Sequence, residues 1–263
     1  KNFVLEKDLI KFVINNDTTK SVTKFYDIAP FPNYSEHQDK HSINKIGKNN
    51  YLINQIKNFI GYKKNIIEIG SGTCQVSNYL AFGSNNKIFA LDPTTESLKL
   101  GVEFSKKNNL TNIKFINADI KDDIFQNEIF DFVLCSGVLH HTDEPYVNFK
   151  QIPKILKKNG YVVLGLYNYY GRFRTKVRQK LFKFFGKSLI MLLDPILRKL
   201  SQNKKKNKLK ISSWIRDQYM HPVESTHSFD EVLDWFKKND IEFINSVPSC
   251  DCEIGISDKL FEK

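Results

Sequence analysis

Ile66-Ile67-Glu68-Ile69-Gly70-Ser71-Gly72-Thr73-Cys74 is the stretch that decides the fold. Ile66–Ile69 is short, mostly apolar and β-branched, as a strand buried on both faces is. The glycines behind it admit positive φ and let a ligand come close to the backbone. A helical stretch follows near 75–82, so the turn opens a helix N-terminus that favours negative or polar ligand groups. A dinucleotide fingerprint, G-x-G-x-x-G, would need glycine at 75, where Gln75 stands, and this argues against a dinucleotide.

Working outward, Lys87–Leu91, Ile113–Ile116, Phe130–Cys135 and Tyr161–Leu166 are further strand candidates. Helices are predicted near 94–108 and 144–157 between them, and strand–helix alternation implies a parallel sheet in an α/β fold. Glu68, Asp92 and Asp119 then fall at the ends of three successive strands. They would share the carboxyl edge where open α/β sheets bind ligands. A carboxylate at Asp92 can accept from two ribose hydroxyls, and one at Asp119 from an adenine amino group. Each acid alone reads as a solvated loop charge; the three together carry a stronger signal.

Phe130-Asp131-Phe132-Val133-Leu134-Cys135-Ser136-Gly137-Val138-Leu139-His140-His141 and Ile155-Leu156-Lys157-Lys158-Asn159-Gly160-Tyr161 complete a pattern. Residues 64–166 resemble class I S-adenosylmethionine-dependent methyltransferases. The resemblance implies a Rossmann-like, doubly wound, mostly parallel sheet with helices on both faces. It implies S-adenosyl-L-methionine as cofactor and S-adenosyl-L-homocysteine as product. It also assigns Glu68, Gly70, Ser71 and Gly72 to the methionine part, Asp92 to the ribose, Asp119 and Ile120 to the adenine and Ser136 to the sulfonium region, with Pro93 and Gly137 as further cofactor-binding residues. Cys74 stands where the family has its third glycine, Asn159 replaces another glycine, and Pro153 interrupts the helix expected before the fifth core strand. Cys74 is expected to weaken cofactor binding modestly. Leu166–Arg172 and Asp217–His227 resemble motifs of a bacterial methyltransferase subfamily.

Four segments follow: an N-terminal helical, aromatic lid (1–60), the cofactor-binding core (61–166), a basic helical cap inserted after the fifth core strand (167–227) and a C-terminal helix and strand (228–263). Helices are predicted near 5–15 and 47–60, and two basic amphipathic helices over 172–200, broken near Gly186. Ser201–Lys210 reads as a polar linker. Ser228-Phe229-Asp230-Glu231 is a capping box, with Phe229, Val232, Leu233 and Phe236 as one buried face. Ile241–Val247 reads as a sixth strand, with a seventh left open nearer the end.

His140, His141, His221 and His227 are the candidate catalytic bases. Each has a structural alternative, in which it only shapes the cofactor turn or satisfies a loop. His221-Pro222-x-Glu224-x-x-His227 lacks the i, i+4 spacing of a zinc protease helix, so no metal is assigned. Tyr26, Phe31, Tyr34, Tyr167, Asn168, Tyr170 and Glu224 are the candidate substrate wall, against a reading of ordinary packing.

The formal charge is +11, and residues 171–210 hold fourteen Lys or Arg against one acid, so the basic surface is one segment. Four cysteines without a disulfide framework point to a reducing, cytoplasmic setting. Residues 1–20 lack a signal-peptide pattern, because charges interrupt every apolar stretch. A small-molecule acceptor is the expected partner. RNA is the second reading, for which the basic segment speaks and the lack of an Asn-Pro-Pro-Tyr-type motif speaks against. Peripheral membrane contact through 172–200 is a third, and a non-catalytic relative a fourth. The sequence sets no oligomeric state.

Overall fold

The computed structural model describes residues 3–6, 8–30, 32, 34, 39–203 and 207–248, apart from the side chain of Leu209. Its strands are β1 (Phe3–Glu6), β2 (Leu9–Phe12), β3 (Asn65–Ile69), β4 (Lys87–Asp92), β5 (Ile113–Asn117), β6 (Phe130–Ser136) and β7 (Leu156–Gly165). They form one sheet in the order β1-β2-β5-β4-β3-β6-β7, parallel except for the β1–β2 pair. The α/β, mostly parallel architecture expected from the sequence is thus present, and the strand order reverses between β3 and β6.

Register puts the functional ends together. Ile69 pairs with Leu91 and Cys135, Asp92 with Asn117, and Ser136 with Gly165. The chain therefore leaves all five core strands along one edge. Crossover helices cover both faces and follow the apolar spacing: α1 (Asp17–Ile28), α2 (Lys40–Asn49), α3 (Tyr51–Ile60), α4 (Gln75–Ala81), α5 (Thr95–Lys107), α6 (Pro145–Phe149) and α7 (Gln151–Ile155). Ile66, Ile88, Leu134 and Leu98 belong to one buried layer; Ile67, Val133, Phe130 and Phe149 belong to the other.

Beyond the core, α8 (Tyr169–Leu193), α9 (Pro195–Ser201) and α10 (Lys208–Tyr219) form a cap with its own small core of Ile190, Leu197, Ile211, Ile215 and Tyr219. Asp194 organises it. Its carboxylate accepts from the amides of Ile196 (2.7 Å) and Leu197 (3.1 Å), from Trp214 Nε1 (3.1 Å) and from the Tyr219 hydroxyl (2.5 Å). Gly186 breaks α8 at φ 70°, as expected. Finally, α11 (Phe229–Lys237) is capped by Ser228, which accepts from Glu231 N at 3.1 Å.

Several expectations are corrected. Residues 5–15 form no helix: β1 and β2 make a hairpin that extends the sheet beyond β5. Asn50 divides the helix expected over 47–60, capping α3 through its side chain. The helix over 144–157 is two short ones ending at Ile155. Ile241–Val247 is irregular rather than a strand. The face of α11 is anchored by buried Trp235, while Phe229 is exposed. Glu231 accepts not at its cap but from His227 Nδ1, at 3.0 Å. The seventh-strand expectation lies outside the described residues.

Candidate active site

A cavity of about 360 Å³ opens at the carboxyl edge, where the strand order reverses. That is the size of a small-molecule site at the position open α/β sheets use. All ten residues predicted to hold the cofactor line it: Glu68, Gly70, Ser71, Gly72, Asp92, Pro93, Asp119, Ile120, Ser136 and Gly137. A Cβ at Gly70 would meet Val138 Cγ2 at 2.1 Å, and φ there is +70°, so only glycine makes this turn.

The three acids differ in environment. Asp92 accepts from Gly72 N and Thr94 N, each at 2.8 Å, with one amide per oxygen. Each oxygen keeps a lone pair for a further donor. Glu68 accepts from the Ser77 hydroxyl, and burial pushes its carboxyl up to about 7 despite that bond. Asp119 accepts from Lys121 N at 3.0 Å and from the Thr19 hydroxyl, which comes from α1.

Cys74 sits behind the turn. It does not line the cavity; its thiol is fully buried beside Gly101, in the layer that includes Phe104 and Phe115. The backbone adopts the glycine-like conformation anyway, with φ 61°, and so does Asn159 with φ 62°. Both residues therefore keep the turns that glycine would make.

The rest of the wall comes from remote parts of the chain: Thr19, Val22 and Tyr26 on α1, Pro32 after it, His141 and Thr142 after β6, Tyr167 after β7 and Asp217 on α10. Tyr26 donates to Asp217 Oδ1 at 3.0 Å, and Arg216 Nη2 donates to Phe25 O at 2.7 Å, tying α1 to α10. Sequence reasoning missed Thr19 and Asp217. Asp217 lay within a quoted motif, but its role depends on α10 reaching α1.

The histidines separate. His141 lines the cavity, its Nδ1 lies 2.8 Å from Val223 O, and burial lowers its pKa against that bond. A carbonyl partner requires a proton on Nδ1, so neutral His141 carries its lone pair on Nε2. His221 stacks on His141 at 3.7 Å, also against Val223 O (2.6 Å), and burial pushes it down to about 3. His140 stacks on Tyr167 at 3.8 Å with neither ring nitrogen bonded, and burial pushes it down to about 2. His227 lies away from the cavity between Ser225 Oγ (2.9 Å) and Glu231.

Of the candidate substrate wall, only Tyr26 and Tyr167 line the cavity. Glu224 is committed to Arg172 in a buried two-point pair, Nε to Oε1 at 3.0 Å and Nη2 to Oε2 at 2.6 Å, with the guanidinium 3.9 Å over the Tyr167 ring. Asn168 caps α8 through Tyr170 N and Gly171 N, both at 3.0 Å. Tyr170 is exposed, and Tyr34 bonds Thr73 O and Asn78 beneath the turn. Phe31 lies outside the described residues. No group of three or more His, Cys, Asp or Glu among the described residues could hold a metal ion.

An open sheet with acids ending three successive strands over a glycine turn defines a Rossmann-like, nucleoside-binding enzyme. The lining fits S-adenosylmethionine: its carboxylates can accept from the hydroxyls and amino groups and attract the cationic centre, and no lysine or arginine among the described residues lines the cavity. The profile of the family described as "Methyltransferase domain" matches residues 60–239, and the chain belongs to that family. Demethylmenaquinone methyltransferase of Staphylococcus aureus (strain MRSA252) is 27% identical over 94 residues, 36% of this chain and 38% of that protein. The chain thus spans about two fifths of that curated relative. The structure of PKMT2 from Rickettsia typhi in complex with AdoHcy is similar in fold, with a TM-score of 0.54 and 16% identity over 67% of this chain and 38% of that one.

Proposed function

We propose that the chain methylates a small, non-anionic acceptor at oxygen, nitrogen or carbon, with His141 as general base. The observation that carries this reading is the charge of the cavity wall. Glu68, Asp92, Asp119 and Asp217 line it, and no lysine or arginine among the described residues does. In a chain of net charge +11 this is a local reversal. The carboxylates of Asp92, Asp119 and Asp217, joined by Glu68 as pH rises through about 7, disfavour a phosphate or carboxylate acceptor and favour neutral or cationic groups. The RNA reading therefore loses support at the site itself.

When bound, S-adenosylmethionine supplies a methyl group on a sulfonium, which passes in line to a nucleophile. Glu68, Gly70, Ser71, Gly72, Asp92, Pro93, Asp119, Ile120, Ser136 and Gly137 would hold it. The remaining wall orients the acceptor: Tyr26 and Tyr167 line it, and Asp217 adds a carboxylate anchored by the Tyr26 hydroxyl. His141 takes the acceptor proton on Nε2 while Val223 O fixes the tautomer. Buried free thiols at Cys74 and Cys135 accord with a reducing, cytoplasmic setting.

The test is a screen of cell extract with methyl-labelled cofactor, fractionated into small molecules, RNA and protein. Label in low-mass, non-anionic compounds supports the reading; label confined to RNA or protein overturns it. With the acceptor in hand, His141→Ala should lower kcat by roughly 10²- to 10⁴-fold with little change in KM. An unchanged kcat removes His141 from the chemistry.

A further inference from the structure

The cap carries a surface that methyl transfer does not use. Along α8, Phe173, Val177, Lys180 and Phe184 recur at i, i+4, i+7 and i+11, one helical stripe, and all four face solvent. Phe173 is 62% exposed, Phe184 83% and Phe185 65%. The Gly186 break follows directly, so the two phenylalanines stand at a corner of the chain. Leu192, Leu193 and Ile196 are exposed just beyond it. The inward side of the same helices is satisfied separately, by Leu181 and Phe182 against the small core around Ile190, Leu197 and Tyr219.

Charge accompanies these side chains. Arg174, Lys180, Lys183, Lys187, Arg198 and Lys199 are exposed in the same segment. Its one acid, Asp194, is buried and engaged by Trp214 and Tyr219. The exposed charged side chains of residues 169–201 are therefore all cations, and large apolar groups are exposed among them.

We infer that the outward face of residues 169–201 docks on an anionic lipid bilayer. Apolar side chains interleaved with cations are what an interfacial helix needs: the former enter the acyl boundary and the latter meet the headgroups. Nucleic acid would match the cations but not Val177, Leu192, Leu193 and Ile196, which cannot stack on bases as aromatic rings do. A second protein copy would have to bury this many cations without an acidic partner on the face. No described helix is long and apolar enough to cross a membrane, so the contact is peripheral. This inference rests on the surface alone and stands or falls apart from the acceptor proposed above.

The experiment is co-sedimentation of the full chain with vesicles of phosphatidylcholine mixed with phosphatidylglycerol, and with vesicles of phosphatidylcholine alone. Partition should be at least about tenfold stronger on the mixed vesicles. It should fall by roughly tenfold or more both in Phe184→Ser/Phe185→Ser and in Lys180→Gln/Lys183→Gln/Lys187→Gln. Cofactor titration of each variant confirms its fold, since none of these residues lines the cavity. Absence of wild-type partition overturns the proposal, as does partition that neither variant weakens. Tight binding of a single-stranded RNA without vesicle binding overturns it in favour of nucleic acid. A dimer in light scattering that Phe184→Ser/Phe185→Ser dissolves, again without vesicle binding, overturns it in favour of self-association.

Discussion

Glu68 keeps its proton to about pH 7 because burial opposes its charge more than the Ser77 bond supports it. The sign for stability follows. The folded state holds a proton that the unfolded state releases near 4.5, so stability falls as pH rises from that value through about 7, by on the order of 3 kcal/mol at most. Glu68→Gln should remove this slope, and melting temperatures at pH 5 and pH 8 will show it as a smaller difference than in the wild type. Cofactor binding runs the other way. In the binding mode proposed above, the ionised carboxylate attracts the cofactor's amino group more strongly than the neutral acid does, so affinity should weaken, by up to about tenfold per pH unit below 7. Glu68→Gln should flatten that dependence in calorimetry. At this scale the sequence was informative where chemistry demands a residue type at a strand end, as at Asp92 and Asp119. It was silent where a role depends on a distant partner, as at Thr19 and Asp217, and it placed Glu224 in the substrate wall where Arg172 holds it instead.

Among elements, α8 and the loop before α11 are joined by a buried ion pair. Arg172 on α8 grips Glu224 on the loop before α11, and Gln179 reaches Glu224 Oε2 at 3.2 Å. Arg172→Ala leaves the carboxylate buried and unpaired, and should destabilise by about 3–5 kcal/mol in urea unfolding. Replacing both partners with apolar residues should cost much less, because the uncompensated charge is then gone. Gly186→Ala should cost about 1 kcal/mol or more, since φ there is 70°. The five core strands were legible because runs such as Ile66–Ile69 are buried on both faces and have no helical alternative. The β1–β2 hairpin was not, since Phe3–Phe12 carries charges at helix-compatible spacing and pairs only because the β5 edge receives it. Helix α10 was missed although Ile211, Ile215 and Tyr219 repeat at i, i+4 and i+8. The lysines before it drew the reading toward a linker.

Taken as a whole, the molecule separates its charge: acids line the cleft, and cations crowd one face of the cap. The cofactor half of the cleft was readable because its residues come from consecutive strand ends. The acceptor half was not, because α1, the turn at His141 and α10 meet there from remote parts of the chain. The same separation predicts that raising salt weakens contacts of the cap with anionic surfaces while leaving cofactor affinity within about threefold. Parallel titrations at low and high ionic strength check it. The central claim concerns the cleft, and calorimetric titration of the folded chain with S-adenosylmethionine and S-adenosylhomocysteine tests it most directly, with Asp92→Ala as the control. The account predicts binding of both ligands with micromolar Kd, lost in the variant that removes the carboxylate between Gly72 and Thr94. A folded wild type that binds neither ligand, or an Asp92→Ala variant that binds as tightly, would contradict it.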